Sequence, residues 1–350
     1  MRHSAFPRFK KLLIVCLIII VLLAGVVFAI RLYNQNKYQS AYSLASPTYY
    51  KSPSDLSLYP TELEGVTVTH VDQKAAQGFH FVPKELKHKG VIVVFGGSEG
   101  TPGYDQAKIF AQNGYEVFSM FMFGQPNQPK TLTKIPLEQF EDILSVINTE
   151  AVSETPITVF GASKGAEYAL NLAAKYSEID HLILVSPSAY TFAGLDFSQY
   201  ASSWTWNGNE LPYIDLKRSS LPIFLSDMVV PQVINSPVRY KAIYTSAINT
   251  DQNKEDKHIP VKETTAQILL IAGQEDQMWD SPSMAALIQK ERPENTTLQI
   301  YEDAGHVFIG NGVMTSGNML LRVGGTEEGN KKAQEESNQL MLKKLSEWHN

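Results

Sequence analysis

Residues 158–166 read Thr158-Val159-Phe160-Gly161-Ala162-Ser163-Lys164-Gly165-Ala166. An apolar, β-branched run enters this stretch, a G-x-S-x-G pattern crosses it, and a helix-forming sequence leaves it. The two glycines allow a sharp strand-to-helix turn where larger side chains would collide. Such a turn lifts the Ser163 hydroxyl to the open top of a sheet. The start of the following helix stabilises negative charge developing there. Ser163 is therefore the candidate nucleophile.

Outward from this turn the chain alternates apolar runs with helical stretches. GVIVVFGG (90–97), YEVFSMFMF (115–123), ITVFG (157–161), HLILVS (181–186), AQILLIAG (266–273) and TLQIYE (297–302) read as strands, and near-continuous apolar runs fit parallel strands covered on both faces. Helices are predicted over 103–113, 136–149, 164–176, 281–291 and 327–348. The fold class is thus α/β, with a mostly parallel central sheet and helices on both faces. Residues 64–83 read as a hairpin at its edge. The interval 190–262 breaks the rhythm. An insert between core strands of an open sheet emerges at the C-terminal edge, where ligands bind, so a lid or substrate-pocket insert is expected. Its Trp204, Trp206, Tyr213 and Phe224 are candidates to line an acyl pocket.

A serine hydroxyl needs a base. His306 follows the last predicted strand, whereas His3 and His349 are terminal and the other histidines precede the core sheet or sit in loops. The base needs an acid to fix its tautomer. Asp276, three residues past Gly273 in the loop above the sheet, is the candidate, with Glu275 and Asp280 as rivals. The order Ser163, Asp276, His306 suits a hydrolase. Two backbone donors must face the oxyanion. One is the amide of Lys164, and the other belongs to Gly97 or Ser98 in Gly96-Gly97-Ser98-Glu99-Gly100. That turn lacks the P-loop ending and the G-x-G-x-x-G spacing, which argues against a nucleotide cradle. The Lys164 side chain has three candidate partners: Glu99, Glu167 or an anionic substrate. No cofactor or metal is called for.

Of 350 residues, 43% are hydrophobic and 19% charged, ample for a large core. One cysteine, Cys16, rules out an internal disulfide. Residues 12–30 carry no charge, and as a helix they span about 28 Å, close to a bilayer's hydrocarbon core. Arg2, Arg8, Lys10 and Lys11 precede the run and only Arg31 follows at once. This predicts a single-pass cell-membrane anchor behind a cytoplasmic basic tail (1–11), with the bulk outside the cytoplasm. The alternative is a signal peptide cleaved near Val27-Phe28-Ala29 and a secreted product. Tyrosine- and serine-rich residues 31–63 are expected to form a stalk or extended linker, and 64–350 the catalytic domain. Beyond residue 30 stand 26 basic and 36 acidic residues, a charge of −10, which speaks against nucleic acid or anionic lipid held by charge alone.

Six ordered motifs carry a family resemblance over residues 66–348. They are Gly96-Gly97-Ser98-Glu99-Gly100; Ile135-Pro136-Leu137-Glu138-Gln139-Phe140; Gly161-Ala162-Ser163-Lys164-Gly165-Ala166-Glu167; Ser202-Ser203-Trp204-Thr205-Trp206 with Leu211-Pro212-Tyr213; Gly273-Gln274-Glu275-Asp276-Gln277-Met278-Trp279; and Gly324-Gly325-Thr326 followed by Asn330, Ala333 and Gln334. The region resembles the catalytic domain of acyl-CoA thioesterases and bile acid-CoA:amino acid N-acyltransferases, which are α/β-hydrolases. The resemblance implies that Ser163, Asp276 and His306 serve as nucleophile, acid and base. Acyltransferase members use cysteine as nucleophile, so serine here favours transfer of the acyl group to water. A serine hydrolase of acyl thioesters or carboxylic esters is expected, its partners a small-molecule acyl substrate and, through the N-terminal helix, a membrane, with no obligate protein partner. The alternatives are an exported peptidase or amidase on the same fold, and an inactive membrane-tethered binding protein.

Overall fold

The computed structural model describes residues 6–42, 47–196, 198–317 and 319–350. Arg2 and His3, and residues 43–46 of the expected stalk, lie outside the described residues. A nine-stranded sheet forms the centre. Its strands are β1 (Glu62–Leu63), β2 (Val66–Gln73), β3 (Ala76–Pro83), β4 (Val91–Phe95), β5 (Glu116–Met120), β6 (Ile157–Ala162), β7 (His181–Val185), β8 (Gln267–Gly273) and β9 (Thr296–Tyr301). Their order is β1-β2-β3-β5-β4-β6-β7-β8-β9. The first three strands run antiparallel, with β3 joined antiparallel to β5, and the rest are parallel.

The apolar runs become strands because both faces are covered. Every residue of β4, β5 and β7 is buried. On one face Val91, Val93, Val159 and Leu182 meet helices α3 (Gln139–Glu150), α4 (Lys164–Ala173) and α6 (Ser281–Glu291). On the other, Ile92, Val94, Phe160 and Ile183 meet α2 (Tyr104–Gln112) and α7 (Glu327–Trp348). The alternation follows the two-residue period of a strand. Thr326 caps α7 by accepting the Gly329 amide at 3.0 Å, and Glu327 and Glu328 occupy its first turn, where carboxylates are favoured. This is the α/β-hydrolase arrangement.

Two regions differ from expectation. Helix α1 spans Phe6–Lys37, outrunning the apolar stretch 12–30, because Arg31–Lys37 contains no glycine or proline to stop it. It is long and apolar enough to cross a membrane. Past residue 47 the expected stalk is part of the folded unit. Tyr49 and Tyr59 are buried and stacked with ring centroids 4.5 Å apart, against Phe79 and Tyr104. The Tyr49 hydroxyl donates to Asp105 at 2.5 Å, and that of Tyr104 donates to the Pro60 carbonyl. Burial, then the bond to Asp105, pushes the Tyr49 hydroxyl's pKa up, so it stays a donor. Tyr49 and Tyr59, which looked like linker composition, form a strap with their rings inside and their hydroxyls bonded to Asp105 and to the Pro53 carbonyl.

The insert 190–262 has two halves. The first contributes Trp204–Trp206 and Asn209–Glu210 to a three-stranded sheet with Ile135–Pro136. The second holds a helical stretch, Leu221–Val233, and α5 (Lys241–Thr250).

If the tyrosine strap is structural, Tyr59→Ala destabilises the protein by about 3 kcal/mol, the usual cost of deleting a buried ring. This is measured as a lowered urea midpoint of the full chain in detergent. An unchanged midpoint would return residues 47–60 to the status of a linker.

Candidate active site

The turn after β6 is set by backbone contact. A Cβ on Gly161 would lie 2.2 Å from the Gly165 carbonyl oxygen, and one on Gly165 would lie 2.1 Å from that of Gly96. Only glycine fits at either position. Ser163 itself has φ 55° and ψ −118°, a region costly to a residue with a side chain and one that recurs at functional sites. Its amide donates to the Val185 carbonyl at 2.9 Å, which holds the strained residue against β7.

The Ser163 hydroxyl lies 2.8 Å from His306 Nε2, and His306 Nδ1 lies 2.8 Å from Asp276 Oδ2. Three segments far apart in the chain thus form one continuous hydroxyl–imidazole–carboxylate chain. Asp276 is fully buried. Its Oδ1 accepts the amides of Met278 and Trp279 at 2.8 and 3.2 Å, and its Oδ2 also accepts the Ser281 hydroxyl at 2.6 Å. Four donors compensate the desolvated carboxylate. Of its rivals, Glu275 is exposed and Asp280 pairs with Lys241 at 3.0 Å.

The loop bearing His306 is held under strain. Val307 and Phe308 have φ of 46° and 59°, unfavourable above all for a β-branched residue. The side chain of Asn330 donates to the carbonyls of Ile309, Gly310 and Gly324 and accepts the Gly305 amide at 2.8 Å. Ser186, at the end of β7, receives the Val307 amide on its hydroxyl and the Trp279 indole on its carbonyl. Sequence reasoning assigned no role to Ser186, Ser281 or Asn330. The available signals were the last residue of HLILVS, the serine before Pro282, and the asparagine after Gly324-Gly325-Thr326. The other described histidines lie away from Ser163. His181 and His349 share the Thr158 hydroxyl, and His80 faces Glu116.

The Gly96–Gly100 turn comes alongside Ser163, where a Cβ on Gly97 would lie 3.5 Å from that of Ser163. The Gly97 amide already donates to Glu99 Oε1 at 3.0 Å, as does the Thr101 hydroxyl at 2.8 Å. The amides of Ser98 and Lys164 have no such internal acceptor among the described residues. The Lys164 ammonium points away from the cavity into the core. It meets Glu167 Oε2 at 2.7 Å, with both side chains buried. Glu167 Oε1 also accepts the Trp204 indole at 2.8 Å and the Phe192 amide at 3.0 Å. Burial pushes the Lys164 pKa down and the Glu167 pKa up, each opposed by its partner.

A cavity of about 380 Å³ opens at Ser163 between α2, α7, the His306 loop and a hairpin of β10 (Val313–Ser316) and β11 (Met319–Arg322). Trp204, Trp206, Tyr213 and Phe224 are not among the residues that line it. Trp204 is fully buried on the opposite face of the sheet, Trp206 packs edge-on to Tyr176, Tyr213 is half-buried in the insert, and Phe224 is exposed. The insert's first half covers the α3–α4 face, whereas the cavity opens over the α2–α7 face. The aromatic wall expected from the insert is replaced by Phe95, Ile109, Met314, Leu321 and Met341. Among the described residues, no three His, Cys, Asp or Glu side chains gather as a metal site.

The C-terminal domain model of the BAAT / acyl-CoA thioester hydrolase family matches residues 135–343. The chain belongs to this family. The human acyl-coenzyme A thioesterase 1 is 23% identical over 249 residues, covering 69% of this chain and 54% of the relative. The mouse acyl-coenzyme A amino acid N-acyltransferase 1 is 22% identical over 254 residues, covering 70% and 54%. The chain thus spans about half the length of these relatives. An esterase from Pyrococcus furiosus superposes with a TM-score of 0.51 at 11% identity, covering 81% of this chain and 92% of that one, a likeness of fold.

Removing one partner of the buried pair beneath the turn leaves an uncompensated charge. Glu167→Ala is expected to cost about 3–5 kcal/mol in urea unfolding. The double variant Lys164→Met/Glu167→Gln, which removes both charges and keeps an acceptor for Trp204, recovers most of that loss.

Proposed function

We propose that the protein is a serine hydrolase that cleaves acyl esters or thioesters through an acyl-enzyme. The observation that carries this reading is the pair of 2.8 Å contacts linking Ser163, His306 and Asp276. His306 takes the Ser163 proton as Oγ attacks the carbonyl carbon. Asp276 holds the imidazole in the tautomer with Nδ1 protonated and offsets the imidazolium charge. The oxyanion meets the amides of Lys164 and Ser98. Ser98 is preferred over Gly97 because the Gly97 amide is engaged by Glu99. His306 then protonates the leaving group, and water, deprotonated by the same imidazole, releases the acid.

The apolar part of the cavity suits an acyl chain. Its lining carries two carboxylates, Glu99 and Asp105, and no lysine or arginine. Coenzyme A brings phosphate groups that such a lining repels. This favours a leaving group without phosphate, although the relatives' names specify coenzyme A thioesters. In the same reading α1 retains the chain in a membrane with its N-terminus cytoplasmic, supported by the basic residues before residue 12.

Ser163→Ala should lower ester turnover by at least about ten-thousand-fold and abolish labelling by a fluorophosphonate probe. Undiminished turnover by that variant would remove the mechanism. For one acyl chain, kcat/KM on a neutral ester should exceed that on the coenzyme A thioester by about tenfold or more, equivalent to roughly 1.4 kcal/mol of repulsion. A preference for the coenzyme A thioester would overturn the leaving-group assignment and leave the triad standing.

A further inference from the structure

Outside α1, seven large hydrophobic side chains are exposed among the described residues, and five of them fall within thirteen consecutive positions: Leu221, Phe224, Leu225, Val230 and Val233. The segment Leu221–Val233 is helical throughout, with a π-helical turn at Leu225–Val229 between Pro222 and Pro231. Its inner side is fastened. Asp227 is buried and pairs with Arg239 at 2.6 Å, and Pro231 is buried as well. One polar anchor inside and a set of apolar side chains outside make an amphipathic element whose apolar side chains stay exposed among the described residues. At about 1.5 Å per residue it reaches only some 20 Å, too short to span a bilayer.

The position of this face identifies what covers it. The C-terminal end of α1 docks on the same segment. Arg31 donates to the Val233 carbonyl at 2.7 Å and to that of Gln232 at 3.3 Å, and Asn34 donates to the Ile234 carbonyl at 2.8 Å. Arg31 is the first charged residue after the apolar run. In a membrane-spanning helix it therefore marks the level at which the chain leaves hydrocarbon for head groups. Val230 and Val233 are exposed beside that level. The domain's charge of −10 beyond residue 30 leaves apolar contact, not attraction to anionic lipid, to hold it there.

We propose that Leu221–Val233 lies in the bilayer interface beside α1, its Leu221, Phe224, Leu225, Val230 and Val233 side chains inserted at the head-group–acyl boundary, so that the domain rests on the membrane at two points. The proposal rests on the reading of α1 as a membrane-spanning helix. Its consequence reaches the active site through Val238, whose amide donates to the Leu320 carbonyl at 2.8 Å and whose carbonyl accepts the Arg322 amide at 2.9 Å. Those bonds join the insert to the β10–β11 hairpin, whose Met314 and Leu321 form part of the apolar cavity wall. Ala41, just past α1, packs against Val313 and Leu320 of the same hairpin. The acyl side of the cavity is thereby set next to the lipid surface, which assigns a membrane-dissolved acyl lipid as the substrate class.

The test uses the full chain in phosphatidylcholine vesicles, with an environment-sensitive fluorophore on one cysteine at a time: native Cys16, or Val230→Cys or Val152→Cys in a Cys16→Ser background. Val152 is as exposed as the patch but precedes β6, at the sheet edge opposite Ser163. Retained turnover of a short, water-soluble ester verifies each labelled protein's fold. The expected result is quenching by doxyl-labelled lipid at positions 16 and 230 but not at 152, with iodide quenching at 230 at least about fivefold weaker than at 152, as insertion by 5–10 Å requires. Lipid quenching at 16 with free iodide access at 230 overturns the proposal while the anchor stands. Iodide access at 16 defeats the anchor reading and the proposal with it. Shielding at 230 from iodide without lipid quenching means that protein, such as a second copy of the chain, covers the patch, and also overturns it.

Discussion

The site depends on the contact between the start of α4 and the end of β4. With no Cβ at Gly165, the helix backbone reaches the Gly96 carbonyl. That approach is what brings the Gly96–Gly100 turn beside Ser163. It also leaves the Lys164 and Ser98 amides without an internal acceptor among the described residues. The strained φ of Ser163 persists because the neighbours on each side are fixed: β6 and β7 by ladder hydrogen bonds and α4 by its packing. The ion pair of Lys164 and Glu167 lies under the same turn. It spans one helical turn within α4 and ties that turn, through Trp204 and Phe192, to the insert. The Trp204 indole, 37 residues on, and the Phe192 amide therefore hold α4 from below.

The other two members of the chain of contacts are positioned by polar groups instead of packing. Asp276 is held by two amides, a hydroxyl and the imidazole it orients. His306 sits on a loop with two residues of positive φ, fastened by Asn330 at one side and Ser186 at the other. A loop free to relax would leave those conformations. The cost of keeping them is met by α7, which buries Asn330 in its first turns. The C-terminal helix thus shapes the active site as much as it covers the sheet.

Much of this was legible in the chain itself, and the parts that were not share a cause. The runs 90–97, 157–161 and 181–186 announce themselves as strands because a parallel sheet covered on both faces leaves no polar alternation to confuse the period. The G-x-S-x-G turn and the loops holding Asp276 and His306 are readable because their residue types have few other uses in that order. Tyr49 and Tyr59 were opaque. A tyrosine has an apolar body and a polar tip, so the same composition suits an extended linker and a buried strap, and only the position of Asp105, Phe79 and Tyr104 decides. Trp204 misled for a similar reason. Its position in the insert pointed to substrate, but its indole N–H needed an acceptor once buried and found Glu167. The Gly97 amide is engaged by Glu99, a carboxylate two residues on, which no spacing rule encodes.

The insert's two halves answer different demands. Its first half buries polar side chains, Ser202, Ser203 and Thr205 around Trp204, and packs Trp204 against Tyr168 and Glu167 of α4. Its second half exposes the apolar side chains of Leu221, Phe224, Leu225, Val230 and Val233, a grouping of the kind that marks an interaction surface. Within the second half, between Val233 and α5, the backbone reaches the β10–β11 hairpin at Val238. Val238 thus ties the second half to the hairpin that carries Leu321 of the cavity wall, while Ser163, His306 and Asp276 are bonded to other elements.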